Sequence, residues 1–289
     1  MTLEGLSHSG FRHPEAGPLS AALGWGESPS GPYTEAMLFG IGGGISFAYF
    51  ASDYGETRTL YLGAQAMTAR KGMMEAMRDA AGASGRPSAA SSARAARTRI
   101  RKSLDNGVPV IAWVDPSALP YHDLAEPPAQ YYTVLVHGLD EDSGTVALAD
   151  LPSGLAQVSL EDFEAAHNPA YPPTRQTLIV ERPSPPPNLT SAAHAGIHAC
   201  CAQMLHGWGG PQGTARNLGV AGMAQWAALM TDPTSERGWL RFFPTPAHRF
   251  RSLAAIHDQI QCAGRGGGAL RPLYADFIQQ ATELLSNRE

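Results

Sequence analysis

Cysteine is scarce in this chain of 289 residues: three occur, and Cys200 and Cys201 are adjacent while Cys262 stands far away. That spacing excludes a disulfide framework and a four-ligand zinc site. Neighbouring side chains on a helix point about 100° apart, so the pair reads as small buried hydrophobes rather than as one ligand set. Long apolar runs are missing too. No stretch approaches the roughly 18 to 20 residues that span a bilayer, and the opening MTLEGLSHSGFRHPEAG lacks the basic-then-apolar pattern of a secretory signal. A cytoplasmic location without membrane association is therefore expected. Positive charge is also short, with 21 Lys and Arg against 26 Asp and Glu and a formal net charge of -5. Affinity for a phosphate backbone rests on accumulated Lys and Arg, so no nucleic-acid partner is expected. With 43% hydrophobic residues and 31 glycines, the remainder describes a globular chain with much turn backbone. Its length suits one large domain or two ordinary ones.

Along the chain, four glycines in the five positions from Gly40 to Gly44 interrupt TEAMLFGIGGGISFAYF and demand a special backbone there. Residues 60–80 are rich in helix formers, chiefly in their later part. The Gly/Ser/Pro/Ala-rich stretch 81–92 reads as a loop. A helix follows from about Ala93 to Asp105 and stops at Asn106-Gly107, a favourable left-handed cap. VPVIAWVD, YTVLVHGLD, TVALAD and TLIVE are β-branched runs bounded by Pro, Gly and Asp, so residues 108–181 predict a mostly antiparallel sheet. PSPPPN at 183–188 ends that pattern and marks a linker. Beyond it, Leu270, Leu273, Tyr274, Phe277, Ile278, Ala281 and Leu285 recur at amphipathic helical spacing, and the last hundred residues predict mainly α structure.

Several constellations could carry chemistry. The glycine run FGIGGG would let backbone N–H groups approach an anion. It lacks a following Lys-Ser/Thr and the G-x-G-x-x-G spacing, so no nucleotide cofactor is expected, and a cramped turn against a substrate or another helix fits better. Arg94, Arg97 and Arg101 share one helix face, either solvated or able to steer an acidic partner. His194 and His198 stand at i, i+4 but without the glutamate of H-E-x-x-H or an obvious third ligand, so no metal site is expected. Asp150 closes a strand before a turn, where a carboxylate can orient a catalytic neighbour. Glu15, Glu35, Asp53 and Glu56 flank the glycine run, and burial of any of them would raise its pKa toward the range of a general base.

Taken in order, HPEAGPLSAAL, TEAMLFGIGGGISFAYF, LDNGVPVIAWVDPSALPY, YYTVLVHGLD and TVALAD resemble the N-terminal domain of the butirosin biosynthesis protein H family. NLGVAGMAQWAALMTDP, RGWLRFF and GGGALRPLYADFIQQA resemble the helical domain that commonly follows it. The resemblance implies an α+β fold: a papain-like first domain with an antiparallel sheet over residues 1–182, then a helical domain over 183–289 packed on it. It also implies acyl transfer from a carrier-protein thioester to an amine during antibiotic assembly.

The family pattern further implies a cysteine directly after the histidine of the first motif and a histidine six residues before the strand glycine. Here Pro14 follows His13, and Tyr132 stands six residues before Gly138. Proline offers no nucleophile, and a phenol with a pKa of about 10 is a poor base for a thiol at neutral pH. His137, by strand alternation, faces away from the side of Tyr132. Two readings follow. In one, the protein is an enzyme in which the substrate's own amine attacks, either in acyl transfer or in ring closure, without an enzyme nucleophile. Its base is then Glu15, Glu35 or Asp53, Tyr132 donates to the leaving group or carbonyl, and Asp150 orients. His13, Gly42, Gly43, Gly44, Tyr49, Arg271 and Tyr274 contact an amino-bearing small molecule, free or tethered to a carrier protein. Arg271 and Tyr274 enter this set because they follow the glycines 266–268 at the start of the last helix. In the other reading, the chain is a non-catalytic subunit that binds a carrier or a catalytic partner in a homo- or hetero-oligomer.

Overall fold

The computed structural model describes residues 2–3, 10–25, 31–53, 58–65, 72–122, 132–150, 154–168, 174–185, 187–207, 215–261 and 267–286. In chain order come α1 (Ala16–Leu23), α2 (Glu35–Ile41), β1 (Ile45–Asp53), β2 (Arg58–Gln65), α3 (Met73–Ala80), β3 (Ser88–Ala89), α4 (Ala93–Asp105), β4 (Val110–Trp113), β5 (Thr133–Asp140), β6 (Thr145–Asp150), β7 (Gly154–Ser159), α5 (Leu160–Ala166) and β8 (Gln176–Leu178). Among the described residues only helices follow: α6 (Leu189–His206), α7 (Gly219–Thr231), α8 (Trp239–Phe242), α9 (Pro246–Gln261) and α10 (Arg271–Ser286), with short 3-10 turns between them. The fold is α+β, with antiparallel strands in the N-terminal part and helices in the C-terminal part.

Two compact units divide the chain: residues 1–38 with 77–189, and residues 39–76 with 190–289. Sequence order alone groups 39–76 with the first domain, whereas this segment clusters with the helices after residue 189. The first unit is built on a six-stranded antiparallel sheet in the order β3-β8-β4-β5-β6-β7. All of VIAW in β4 and all but the last residue of β5 are buried, which explains why these strands are near-continuous apolar runs instead of alternating ones. Helix α1 packs on β4, β5 and β6, α4 on β4 and β5, and α5 on β6 and β7.

Helix α4 starts and stops where its sequence says it should. The Ser92 hydroxyl accepts the Ala95 N–H, and Gly107 follows its end with φ of 74°. Its basic face is largely paired inside the unit. Arg97 lies 3.8 Å from Glu141 and 3.6 Å from Glu164, and Arg101 also meets Glu141.

Of the stretch 60–80, the later part is helical in α3, as the sequence suggests, whereas its first residues belong to β2 in the antiparallel hairpin β1–β2 of the second unit. Strand propensity wins locally in RTLYL because Leu62 is buried against Phe47, Tyr49, Trp239, Phe243 and Ile256. Gln259 of α9 closes the free edge of β2: its side-chain oxygen accepts the Leu62 N–H at 2.5 Å, and its amide donates to the Leu60 carbonyl at 3.2 Å.

Candidate active site

The antiparallel order of β4, β5 and β6 brings the end of β4, the start of β5 and the end of β6 to one edge of the sheet. Leu135 pairs with Ala149, which sets Asp150 opposite Val134 and two residues from Tyr132. The connection from β4 to β5 returns to that same edge. Asp115 starts it, donating its N–H to the Ala166 carbonyl and accepting from the Ser117 N–H at 2.9 Å. After the 3-10 turn at Pro116–Ala118, the His122 N–H bonds the Leu119 carbonyl at 3.0 Å. Tyr121 and His122 are thereby delivered to Asp150.

Four side chains meet there. Asp150 is fully buried; its Oδ1 accepts the Tyr132 hydroxyl at 2.7 Å, and its Oδ2 accepts the Tyr121 hydroxyl at 2.7 Å. His122 Nε2 lies 2.8 Å from the same Oδ2 and 3.3 Å from the Tyr132 hydroxyl. A carboxylate can only accept, so Nε2 carries a proton and donates it to Asp150. Nδ1 takes no hydrogen bond among the described residues. The ring is clamped from two sides, tilted on Tyr121 at 4.9 Å and edge-on to Tyr132 at 5.3 Å. Burial and the adjacent Asp150 both push the Tyr121 phenol up, which keeps it a neutral donor. The result is a histidine oriented by a buried carboxylate, the base half of a nucleophile–base–orienter set.

The second feature is the segment before α1. Glu35 Oε1 accepts the backbone N–H groups of Arg12 and His13 at 2.8 and 2.5 Å. Burial lifts its carboxyl from 4.5 to about 7, against the lowering effect of those two hydrogen bonds and of Arg12. His13 is fully buried and caps α1, its Nδ1 accepting the Glu15 and Ala16 N–H groups at 3.2 and 3.1 Å. The Thr133 hydroxyl donates to the Pro14 carbonyl, fixing the segment beside the start of β5. Glu15 is buried at the head of α1.

The other sequence candidates belong to the second unit and its packing. Gly43 and Gly44 adopt φ of 112° and 65°, and a Cβ on Gly44 would lie 2.2 Å from the Tyr274 ring. The glycine run therefore makes room for α10 side chains, with Gly42 inside the same turn. Tyr49 is a core residue whose hydroxyl accepts from Trp239 Nε1 at 3.0 Å. Asp53 forms an exposed ion pair with Arg58 at 3.0 Å. Arg271 donates to the Ala269 carbonyl, and Tyr274 is hydrogen-bonded to the buried thiol of Cys200. His194 and His198 are exposed on α6. Glu56, Cys262 and Gly266 lie outside the described residues.

Tyr132 and Asp150 are thus brought together, and Tyr132 spends its one hydroxyl proton on Asp150 rather than holding it for a leaving group. His122 is absent from the sequence-derived set. Its signal is DPSALPYHD, the connection between two paired strands, which must return to the edge where Tyr132 and Asp150 sit.

Residues 13–151 match the family model for butirosin biosynthesis protein H, N-terminal. The chain carries an N-terminal domain of the butirosin biosynthesis protein H family. Residues 159–289 match a second model, described as a domain of unknown function (DUF4872); the match takes in α5 and β8 as well as the helices after residue 189. No curated protein matches the chain. His122 brings an imidazole to the Tyr132 hydroxyl from the connection that follows β4.

Proposed function

We propose that this protein acts in antibiotic biosynthesis and promotes C–N bond formation by a substrate amine, with His122 as the base. The N-terminal domain of a family named for butirosin biosynthesis supports the coarse assignment. The observation that carries the finer one is the His122–Asp150 pair at 2.8 Å; Pro14, where the family resemblance implies a thiol, offers no nucleophile. With no enzyme thiol at that position, the substrate amine itself attacks. The ammonium first loses one proton to water; as the lone pair of the neutral amine forms the C–N bond at the carbonyl carbon of a thioester, His122 Nδ1 takes a second proton from that nitrogen. The C–S bond then breaks, and the imidazolium returns its proton to the departing sulfur. Asp150 stays an acceptor throughout, holding the ring in one tautomer and stabilising the imidazolium. Positioning supplies about 7 to 11 kcal/mol in well-oriented reactions and general base catalysis about 10² to 10⁴ in rate, so no covalent intermediate is needed. The same base serves intramolecular ring closure.

The test is turnover of small aminoacyl thioesters with amine acceptors, followed by mass spectrometry, for the native chain and for His122→Gln. Product that disappears in the variant with its fold intact supports the reading. No product from the native chain, alone or with each protein encoded beside its gene, favours the non-catalytic binding subunit.

A further inference from the structure

Helix α9 leaves an apolar, basic face outward. Its inner side is set by buried Ser252 and Ile256, with Gln259 reaching β2. The opposite side presents Phe250, 73% exposed, Leu253, 48% exposed, and Arg251, and Leu240 of α8 is 49% exposed. Phe250, Leu253 and His257 fall at i, i+3, i+7 and form one stripe. Between Arg237 and His257 the chain has four arginines, two histidines and no carboxylate, although the whole chain carries -5. Arg237 and Arg251 make no ion pair among the described residues. Arg249 is bonded to the Phe243 and Pro244 carbonyls, and Arg241 feels Asp232. Glu236 precedes the segment, and the exposed Asp258 follows it, 3.4 Å from His257 Nδ1 and seven residues after Arg251 on the same face of α9. The basic face of α4, by contrast, is largely paired with Glu141 and Glu164.

We propose that the outward face of α8 and α9 docks an acidic protein, with Phe250 and Leu253 as apolar anchors and Arg251 and Arg237 as charge partners. An exposed apolar cluster flanked mainly by one sign of charge is the usual composition of such a surface, with anchors giving affinity and the charge giving approach and register. A second copy of this chain fits poorly, because a two-fold interface puts the patch on itself and sets Arg251 against arginines. An anionic bilayer fits poorly as well. Membrane-surface helices need a broad apolar face, and the inward side of α9 is already committed to the core. The inference does not rest on the chemistry assigned to the first unit.

The experiment titrates the full chain with each strongly acidic protein encoded beside its gene, purified singly, at low and high salt. At least one should bind at low salt and weaken as salt rises. Phe250→Asp and Arg251→Glu should each weaken that complex by about tenfold or more while the far-ultraviolet spectrum is unchanged, and Arg94→Glu on α4 should not. The proposal is overturned if none of these proteins binds, or if binding survives Phe250→Asp and Arg251→Glu together. It is also overturned if vesicles of phosphatidylglycerol and phosphatidylcholine, or self-association in sedimentation, show the dependence on Phe250 instead.

Discussion

Tyr132 and His122 share one carboxylate without competing for one oxygen: the phenol donates to Asp150 Oδ1 and the imidazole meets Oδ2, while the two side chains stand 3.3 Å apart. A third donor, Tyr121, completes the set on Oδ2. Three donors converging on one buried acceptor make Asp150 the keystone of this edge of the sheet. A phenol at position 132 can donate to the carboxylate and still take the edge of the His122 ring.

The carboxylate should be intolerant of amide substitution. Asp150→Asn turns one of its acceptors into an N–H donor that faces hydroxyl and imidazole donors. A loss of roughly 1–3 kcal/mol is expected, and Tyr132→Phe, which removes a single donor, should cost about 1 kcal/mol. Urea unfolding of both variants checks the order. Equal stability of Asp150→Asn and the native chain would rule out the donor arrangement.

Glu35 should give the protein a pH dependence. Its folded-state pKa of about 7 lies above the ordinary value of 4.5, so the folded state holds the proton more tightly than the unfolded chain. The stabilisation from this group is complete below about pH 4.5 and disappears as pH rises through 7, a change of order a few kcal/mol. Glu35→Gln keeps an oxygen for the Arg12 and His13 N–H groups but cannot ionise. Between pH 5 and 8 the native chain should lose stability relative to this variant; parallel melting curves at several pH values would settle it.

His167 should act in the opposite direction. Burial lowers its pKa from 6.5 to about 4, with the nearby Arg175 adding to the effect and its bond to the Gln176 carbonyl opposing it. The ring stays neutral in the fold while the unfolded chain takes up a proton. Stability is therefore lost as pH falls from about 6.5 toward 4, again by a few kcal/mol at most. His167→Gln should flatten that acid limb, and an unchanged limb by denaturant titration would count against the burial argument.

Gly40→Ala should reverse the usual helix rule. Alanine in a helix interior ordinarily gains about 1 kcal/mol over glycine. Here the added methyl would lie 2.0 Å from the Phe277 ring, itself fully buried, so about 1–3 kcal/mol of overpacking or more is expected. Pairing the change with Phe277→Leu should restore part of the loss in thermal unfolding.

Much of the fold was legible in residue order. The β-branched runs from 108 to 181 are strands of an antiparallel sheet, α4 begins and ends at its capping residues, and the period of α10 is written in Leu273, Phe277 and Ala281. The crowded glycine turn was legible as well, because only a side-chain-free backbone admits Tyr274 and Phe277 so closely. These features depend on neighbours within a few residues, where steric and periodic rules act directly.

The candidate site was not legible in the same way. Asp150 was visible as a strand-end carboxylate and Tyr132 through the family resemblance, but His122 joins them only because strand register and the 115–122 turn bring residues 28 positions apart to one carboxylate. Tertiary packing likewise moved Tyr49 into a core and tied His13 to a helix cap. It also drew residues 39–76 away from the sequence-adjacent strands into the second unit. Local sequence dictates which elements form. Which side chains face one another is decided by burial and pairing across the sheet, and those free energies exist only once distant segments have met.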